Sequence, residues 1–282
     1  MSHSTLVDGA TVSAHLTDPE WRIIDCRHQL TDPEAGRRAY ASGHLPNAFF
    51  LHLDDDLSGP RDGRNGRHPL PDPSTLADKL SAIGVHAGVQ MVAYDDAGGM
   101  VASRLWWLMR WLGHDRVALL DGGLGCWLAE GRPVSVDSPQ ASPARFLVDL
   151  RGGVVTGTEV LAKLGDDRFR LLDARSADRF RGENETIDPV AGHIPGAINR
   201  CYRDNLDPAG RFRPAAELRR EFLDLLGAAS PEQTVMACGS GVSACHNLLA
   251  MEIAGLPGAR LYAGSWSEWC SDPERPIATG SD

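Results

Sequence analysis

The stretch Thr234-Val235-Met236-Ala237-Cys238-Gly239-Ser240-Gly241-Val242-Ser243 decides the fold class. Its first four residues form a short apolar run, which predicts a buried strand. A cysteine and a glycine-rich turn follow, and Leu248, Leu249 and Ile253 then continue at helical spacing. A strand that passes through a turn into a helix is typical of parallel α/β domains, whose reactive groups lie at the carboxyl ends of the strands. The stretch therefore places Cys238 at the reactive edge of a parallel sheet.

The same arrangement occurs once earlier in the chain, where residues 90–95 match residues 233–238. Three further landmarks repeat in the same order: residues 23–27 with 171–175, 43–48 with 192–197, and 121–127 with 263–269. Four landmarks in one order indicate a duplicated domain. We predict a first domain over residues 1–134, a linker rich in proline and serine over 135–153, and a second domain over 154–282.

Each copy is predicted to form a parallel sheet flanked by helices, an α/β fold. The predicted strands are residues 23–25, 91–94 and 117–120 in the first copy and 171–173, 234–237 and 259–262 in the second. Helices are predicted over 100–111 and 242–253, and a short helix with a tryptophan follows the last strand of each copy.

Composition narrows the possible functions. The chain has 282 residues, of which 42% are apolar and 23% charged, enough for a sizeable core. Its net charge is −10, and acidic side chains outnumber basic ones in both halves, which disfavours nucleic acid or an anionic membrane as partner. No apolar run reaches the roughly 18 residues of a membrane span. The N-terminal residues lack the pattern of a secretory signal, so we expect a cytoplasmic protein.

The spacing of the six cysteines does not indicate disulfide pairs, so we expect free thiols. The cysteines are Cys26, Cys126, Cys201, Cys238, Cys245 and Cys270. The spacing of Cys238, Cys245 and His246 does not supply four metal ligands. We therefore expect neither a metal nor an organic cofactor.

The duplication provides an internal control for Cys238, because the matching position of the first copy is Asp95. Most lone cysteines are small buried apolar residues. Here, glycines let successive backbone N–H groups turn inward, and the start of a helix adds positive potential. Both features stabilise a thiolate, which is the nucleophilic form of cysteine. The pattern predicts that Cys238 is a nucleophile and that the first copy has none.

The loop Cys-Gly-Ser-Gly-Val-Ser-Ala at residues 238–244 resembles the active loop of tandem-domain sulfurtransferases of the rhodanese superfamily, notably those of the mercaptopyruvate type. Further signatures are Gly-His-Ile-Pro-Gly-Ala at 192–197, the Asp-x-Arg strand ends, and Gly-Ser-Trp-Ser-Glu-Trp at 264–269. The resemblance covers residues 6–278 and implies two tandem rhodanese-like domains. It also implies that Cys238 accepts sulfane sulfur as a persulfide and passes it to cyanide, a small thiol or a reduced thioredoxin-like protein.

The resemblance favours 3-mercaptopyruvate as the sulfur donor over thiosulfate. Thiosulfate-specific relatives carry two cations just after the cysteine, whereas Gly239 and Ser240 are uncharged. In the mercaptopyruvate pattern, the serine works with a histidine and an aspartate, which match His68 and Asp54. Such a relay can protonate the enolate that leaves as pyruvate. The adjacent acidic residues 55–56 leave the identity of the third member open.

Recognition of the donor's acid group follows the family pattern only in part. Arg179 matches one of two arginines that bind the donor carboxylate, a task that suits the forked guanidinium. The second arginine is expected where this chain has Thr186. Either donor affinity is weak, or Arg64, Arg67 or Arg181 substitutes. The other donor-binding positions that the resemblance implies are Gly239, Gly241, Val242 and Ser243.

Three other functions fit parts of the sequence pattern: a phosphatase, a hydrolase and a persulfide carrier. A phosphatase of the same fold needs an arginine where this chain has Ala244, and a hydrolase elbow needs a glycine where it has Met236. A persulfide carrier with little turnover stays open, as does a thiosulfate-preferring enzyme. Residues present in both copies are expected to be structural, namely His44, His193 and the pairs Asp25/Arg27 and Asp173/Arg175.

Overall fold

The structure is a computed structural model that describes residues 2–281, and its chain divides into two units. The first unit contains the residues up to Gly59 together with Leu70–Gly152 and Asp207–Phe212. The second contains Pro60–Pro69, Gly153–Leu206 and the residues from Arg213 onward. Each unit thus includes a short segment from elsewhere in the sequence, which a division at one linker does not anticipate.

Each unit is built on a five-stranded sheet in which every pair of strands is parallel. The first sheet has the order β1-β5-β4-β2-β3, and its strands are β1 (Leu6–Val7), β2 (Trp21–Asp25), β3 (Phe49–Phe50), β4 (Gln90–Tyr94) and β5 (Val117–Leu120). The second has the order β6-β10-β9-β7-β8, and its strands are β6 (Val154–Val155), β7 (Arg170–Asp173), β8 (Ala197–Asn199), β9 (Thr234–Ala237) and β10 (Arg260–Tyr262). The parallel α/β architecture predicted from the repeat is confirmed.

Helices connect the strands in both units. Those of the first unit are α1 (Gly9–Ala14), α2 (Ala35–Ser42), α3 (Pro73–Ala82), α4 (Ala102–Trp111) and α5 (Gly123–Ala129). Those of the second are α6 (Gly157–Leu161), α7 (Ala177–Arg181), α8 (Ala215–Leu226), α9 (Ser243–Ile253) and α10 (Ser265–Trp269), with 3₁₀ turns at Tyr202–Asn205 and Pro231–Gln233. Among residues 2–281, no helix has the length and apolar character needed to cross a membrane.

The core of each unit surrounds its central strands. Every residue of β4 and of β9 is buried, as expected for strands of a parallel sheet that is covered on both faces. The paired edge strands, by contrast, contain only two or three residues and carry no pattern that sequence analysis can detect. This explains why three strands in each copy were predicted and five are found.

Buried ion pairs close the end of one strand in each unit. In the first unit, Arg27 donates hydrogen bonds to the carboxylate of Asp25, the last residue of β2, and to the carbonyl of Gly43. In the second unit, Arg175 donates in the same way to Asp173, the last residue of β7, and to the carbonyl of Gly192. These contacts satisfy charges that would otherwise be costly to bury. The predicted structural role of both pairs is confirmed.

The repeated histidines are also structural. His44 Nδ1 lies 2.8 Å from the carbonyl oxygen of Tyr40, and His193 Nδ1 lies 2.8 Å from that of Phe180. Each imidazole ring stacks on the aromatic ring of the same partner. The two histidines thus fix equivalent turns, as predicted.

In the first unit, the loop between β4 and α4 surrounds the carboxylate of Asp95. One carboxylate oxygen accepts hydrogen bonds from the backbone N–H groups of Ala97 and Gly99, both at 2.8 Å. The other accepts from Val101 at 2.8 Å and Ala102 at 2.9 Å. The loop is therefore a ring of four inward-facing donors that holds a buried anion.

We predict that Asp95→Asn destabilises the first unit by about 2 to 4 kcal/mol, because an amide NH₂ would replace one acceptor oxygen and leave two buried N–H groups unpaired. Urea-induced unfolding followed by tryptophan fluorescence measures the change. Asp96→Asn is the matched control, since Asp96 is exposed, and should shift stability by less than about 0.5 kcal/mol. Equal stability of the two variants would contradict the anion-holding role of the loop.

Candidate active site

Cys238 lies at the reactive edge of the second sheet, directly after β9. Its Sγ is 3.1 Å from the backbone nitrogen of Gly241 and 3.5 Å from that of Ser240, both of which direct N–H groups toward it. Gly241 has φ of +75°, and a Cβ there would lie 2.3 Å from the carbonyl oxygen of Ala263. Only glycine fits this turn, and the turn is what aims the donors at the sulfur.

The loops that hold Cys238 and Asp95 are equivalent in the two units. Each follows the central strand and leads into a helix of ten or eleven residues. In the first unit the ring of N–H groups binds a carboxylate, so the same backbone arrangement in the second unit is suited to a thiolate. The internal comparison supports the assignment of Cys238 as the nucleophile.

The start of α10 fixes the position of the Cys238 loop. The hydroxyl of Ser265 accepts a hydrogen bond from the N–H of Cys238 at 3.0 Å, and the N–H of Trp266 donates to the Cys238 carbonyl at 2.9 Å. Ser265 has φ of +52°, an unusual value for a residue other than glycine. Its role was not predicted from sequence, where it appeared only within a family signature.

Ser240 and His68, both predicted site residues, lie in direct contact. Ser240 Oγ is 2.7 Å from His68 Nδ1, and both side chains are buried. His68 belongs to the segment Pro60–Pro69, which packs as part of the second unit although it comes early in the sequence. A buried hydroxyl–imidazole pair beside a thiol can carry a proton to or from a reacting group.

Asp54, the predicted third member of the relay, belongs to the first unit. Its Oδ2 lies 3.9 Å from His28 Nε2, and a possible metal-binding group consists of Asp54, His28 and His52. However, His52 Nε2 donates to the Pro33 carbonyl, and its Nδ1 accepts from the N–H of Asp55. Because both nitrogens of His52 are engaged, these residues do not fit a metal ion. The relay role of Asp54 stays a prediction.

Two guanidinium groups stand beside Gly239, the residue that follows the nucleophile. A Cβ on Gly239 would lie 3.0 Å from Nη2 of Arg67 and 3.6 and 3.7 Å from Nη2 and Nη1 of Arg179. Arg179 was predicted to lie here, and Arg67 was one of three alternatives for the missing second arginine. A side chain at position 239 would thus require a small shift of the Arg67 guanidinium, whereas its distances to Arg179 are ordinary van der Waals contacts.

The other two alternatives lie elsewhere. Arg181 forms an ion pair with the exposed Glu183 at 2.7 Å. Arg64 is exposed and lines a separate cavity of about 370 Å³ with Glu268 and Arg275. Thr186, where the resemblance led us to expect the second arginine, is exposed as well.

Two buried carboxylates hold the arginines, and sequence analysis did not identify them. Arg179 donates to Glu185 through Nε and Nη2 and to Asp188 at 3.2 Å, and Arg67 Nη1 donates to Asp188 at 2.5 Å. Burial acts to raise the pKa of Glu185, but hydrogen bonds from Arg179 and from the N–H groups of Asp188 and Ile187 outweigh it, and the pKa is lowered. Both acids follow α7 in an exposed-looking polar stretch whose composition gives no signal of burial.

The six cysteines are free thiols, as predicted, and three of them sit in surroundings that disfavour the thiolate. Burial raises the pKa of Cys26 and Cys201, and it raises that of Cys270 to about 11. None of these three has the ring of backbone donors that surrounds Cys238.

Comparisons with known proteins agree with this site. The family model described as Rhodanese-like domain matches residues 9–130 and 156–272. A probable 3-mercaptopyruvate sulfurtransferase from Pseudomonas aeruginosa is 48% identical over 99% of this chain and 100% of its own length. A putative thiosulfate sulfurtransferase from Mycobacterium tuberculosis is 39% identical over 92% of this chain and 91% of its own.

Among solved structures, a 3-mercaptopyruvate sulfurtransferase from Leishmania major superimposes with a TM-score of 0.84 and 30% identity, over 97% of this chain and 76% of that one. The match includes both units and the parallel sheets predicted from the repeat. Family, fold and enzyme class predicted from the sequence are therefore confirmed. The chain belongs to the rhodanese family, and it is a sulfurtransferase.

Proposed function

We propose that this sulfurtransferase uses 3-mercaptopyruvate as its donor and carries the sulfur as a persulfide on Cys238. The observation that carries the proposal is the 2.7 Å contact between Ser240 and His68, in a loop that has no cation of its own. A proton relay beside the nucleophile suits a reaction in which the departing product must be protonated, as the enolate of pyruvate must be. Relatives named for 3-mercaptopyruvate and for thiosulfate make thiosulfate the second candidate.

In the first step, the Cys238 thiolate attacks the sulfur of the donor, and a sulfur–sulfur bond forms. The carbon–sulfur bond of 3-mercaptopyruvate breaks, and its electron pair goes to carbon, which leaves as the enolate of pyruvate. Ser240 passes a proton to that carbon and is reprotonated from His68. Asp54 is proposed to orient the imidazole. Meanwhile, the N–H groups of Ser240 and Gly241 stabilise negative charge on Sγ until the new bond forms.

In the second step, a nucleophilic acceptor attacks the outer sulfur of the persulfide. The sulfur–sulfur bond breaks, its electron pair returns to Cys238 as the thiolate, and the acceptor leaves with the sulfur. Cyanide would become thiocyanate, and a thiol or a reduced thioredoxin-like protein would become a persulfide. We propose the cytoplasm as the compartment, because six free thiols suit a reducing environment. Two half-reactions on one residue predict ping-pong kinetics.

Thiosulfate differs from 3-mercaptopyruvate in a way that the site can distinguish. Its leaving group, sulfite, is a stable anion that departs without a proton. The relay would therefore do nothing for thiosulfate, whereas it lowers the barrier for the enolate.

The donor is tested by initial rates with each compound at equal concentration and with cyanide as acceptor. We expect 3-mercaptopyruvate to be turned over at least about tenfold faster, because general acid–base catalysis typically contributes about 10²- to 10⁴-fold and only this donor uses the relay. Faster turnover of thiosulfate would overturn the choice of donor. Loading of Cys238 without turnover by either donor would instead favour a persulfide carrier.

We predict that Cys238→Ser abolishes turnover with both donors, because serine cannot form a persulfide. The free energy of unfolding should change by less than about 1 kcal/mol, since the substitution is nearly isosteric. Cys201→Ser is the control, because Cys201 is only partly buried and lies outside the loop, and it should retain wild-type rates. Residual turnover by the Cys238 variant would show that another residue accepts the sulfur.

We predict that Ser240→Ala lowers kcat with 3-mercaptopyruvate by about 10²-fold or more, the usual effect of losing general acid–base catalysis. The rate with thiosulfate should change little, because sulfite needs no proton. Asp54→Asn should show the same selectivity in weaker form. Asp55→Asn should not, because Asp55 is exposed and pairs with Arg37. An equal loss with both donors would mean that Ser240 positions the loop and does not relay protons.

A further inference from the structure

We propose that Arg67 is the second cation of the donor site and takes the place of the arginine that the resemblance led us to expect at the position of Thr186. We further propose that Asp188 acts as a positioning residue that turns Arg67 and Arg179 toward the space above Gly239. The inference rests on the proposed function only in requiring a donor with an acid group. It holds for 3-mercaptopyruvate and for thiosulfate alike.

The segment that carries Arg67 has a fixed position in the second unit. Its backbone N–H donates to Ser267 Oγ at 2.9 Å, and a Cβ on the preceding Gly66 would lie 2.8 Å from the carbonyl oxygen of Gly264. The segment is therefore pressed against the start of α10, which also fixes the Cys238 loop. Arg67 and the adjacent His68 reach the loop from one anchored piece of backbone.

The two arginines use only some of their N–H groups in hydrogen bonds to the carboxylates. The carboxylate of Asp188 accepts a hydrogen bond from Nη1 of Arg67, and that of Glu185 accepts hydrogen bonds from Nε and Nη2 of Arg179. Nε of Arg67 is buried and has no hydrogen-bond partner among residues 2–281. Nη2 of Arg67 and Nη1 of Arg179 lie at Gly239. A buried N–H group without a hydrogen-bond acceptor costs free energy. The carboxylate of 3-mercaptopyruvate or the sulfonate-like oxygens of thiosulfate would supply the missing acceptor.

Positive and negative charges balance around the two arginines. The cluster contains three guanidinium groups and three carboxylates: Arg67, Arg175, Arg179, Asp173, Glu185 and Asp188. The carboxylates of Glu185 and Asp188 are 1% and 2% exposed, so they hold the arginines in place before any donor arrives. Because the cluster is neutral, the donor is recognised through directed N–H groups and not through a net positive field. Because Arg67 and Arg179 are already ordered, binding of the sulfur donor does not lose the conformational entropy of two long side chains.

Kinetics of Arg67→Gln test the proposal. KM should rise about 10- to 100-fold for whichever anionic donor is used, the effect of losing charge-assisted hydrogen bonds, while kcat stays within about threefold of wild type. Arg67→Lys keeps the charge facing Asp188 but not the fork, and its KM should fall between those of wild type and Arg67→Gln. Arg181→Gln is the matched control and should behave as wild type. An unchanged KM, or a loss confined to kcat, would overturn the assignment.

A second measurement is independent of sulfur transfer. Iodoacetate and iodoacetamide both alkylate the Cys238 thiolate with loss of iodide, but only iodoacetate carries a carboxylate. Mass spectrometry gives the rate constant of each reagent at Cys238. The rate constant for iodoacetate divided by that for iodoacetamide should fall at least about fivefold in Arg67→Gln and stay unchanged in Arg181→Gln. The same ratio in wild type and Arg67→Gln would refute the role of Arg67, whatever the preferred donor. A fall in the ratio would support it even if the proposed donor were wrong.

Discussion

The structure depends on one local constraint, a ring of backbone N–H groups at the turn between a central strand and the helix that follows it. These groups are buried, and they need an electron-rich partner. In the first unit the carboxylate of Asp95 fills the ring, with four hydrogen bonds of 2.8 to 2.9 Å. In the second unit the sulfur of Cys238 occupies the equivalent place. The duplication thus preserved one binding arrangement and changed the atom that it holds.

The surroundings of the ring serve to keep it rigid. In the second unit, the start of α10 binds both the N–H and the carbonyl of Cys238, and the buried pair Asp173/Arg175 closes the neighbouring strand. The ion-pair cluster continues through Glu185 to the arginines at Gly239. The proposed nucleophile Cys238, the pair Ser240 and His68, and the two arginines at Gly239 therefore belong to one packed framework within the second unit. Catalysis by precise placement requires support of this kind.

Local patterns in the sequence were enough to predict the central strands, the helices α4 and α9 that follow them, and the position of Cys238, because each is encoded within a few adjacent residues; α3 and α8 were not predicted. The two-residue edge strands carry too little pattern to be detected. The burial of Glu185 and Asp188 depends on distant partners, and Asp188 meets Arg67 across 121 positions. Sequence spacing could not show whether Arg64, Arg67 or Arg181 lies beside Arg179, because this depends on how the segment Pro60–Pro69 packs in the second unit.

We propose that the ring of backbone N–H groups makes Cys238 the single residue that carries sulfur. The most direct measurement is a single turnover with donor and no acceptor, followed by peptide mass mapping of all six cysteines. The account predicts that the mass of one sulfur atom is added to the peptide that contains Cys238 and to no other, and that cyanide removes it. Sulfur bound to another cysteine, or none on Cys238, would contradict the account.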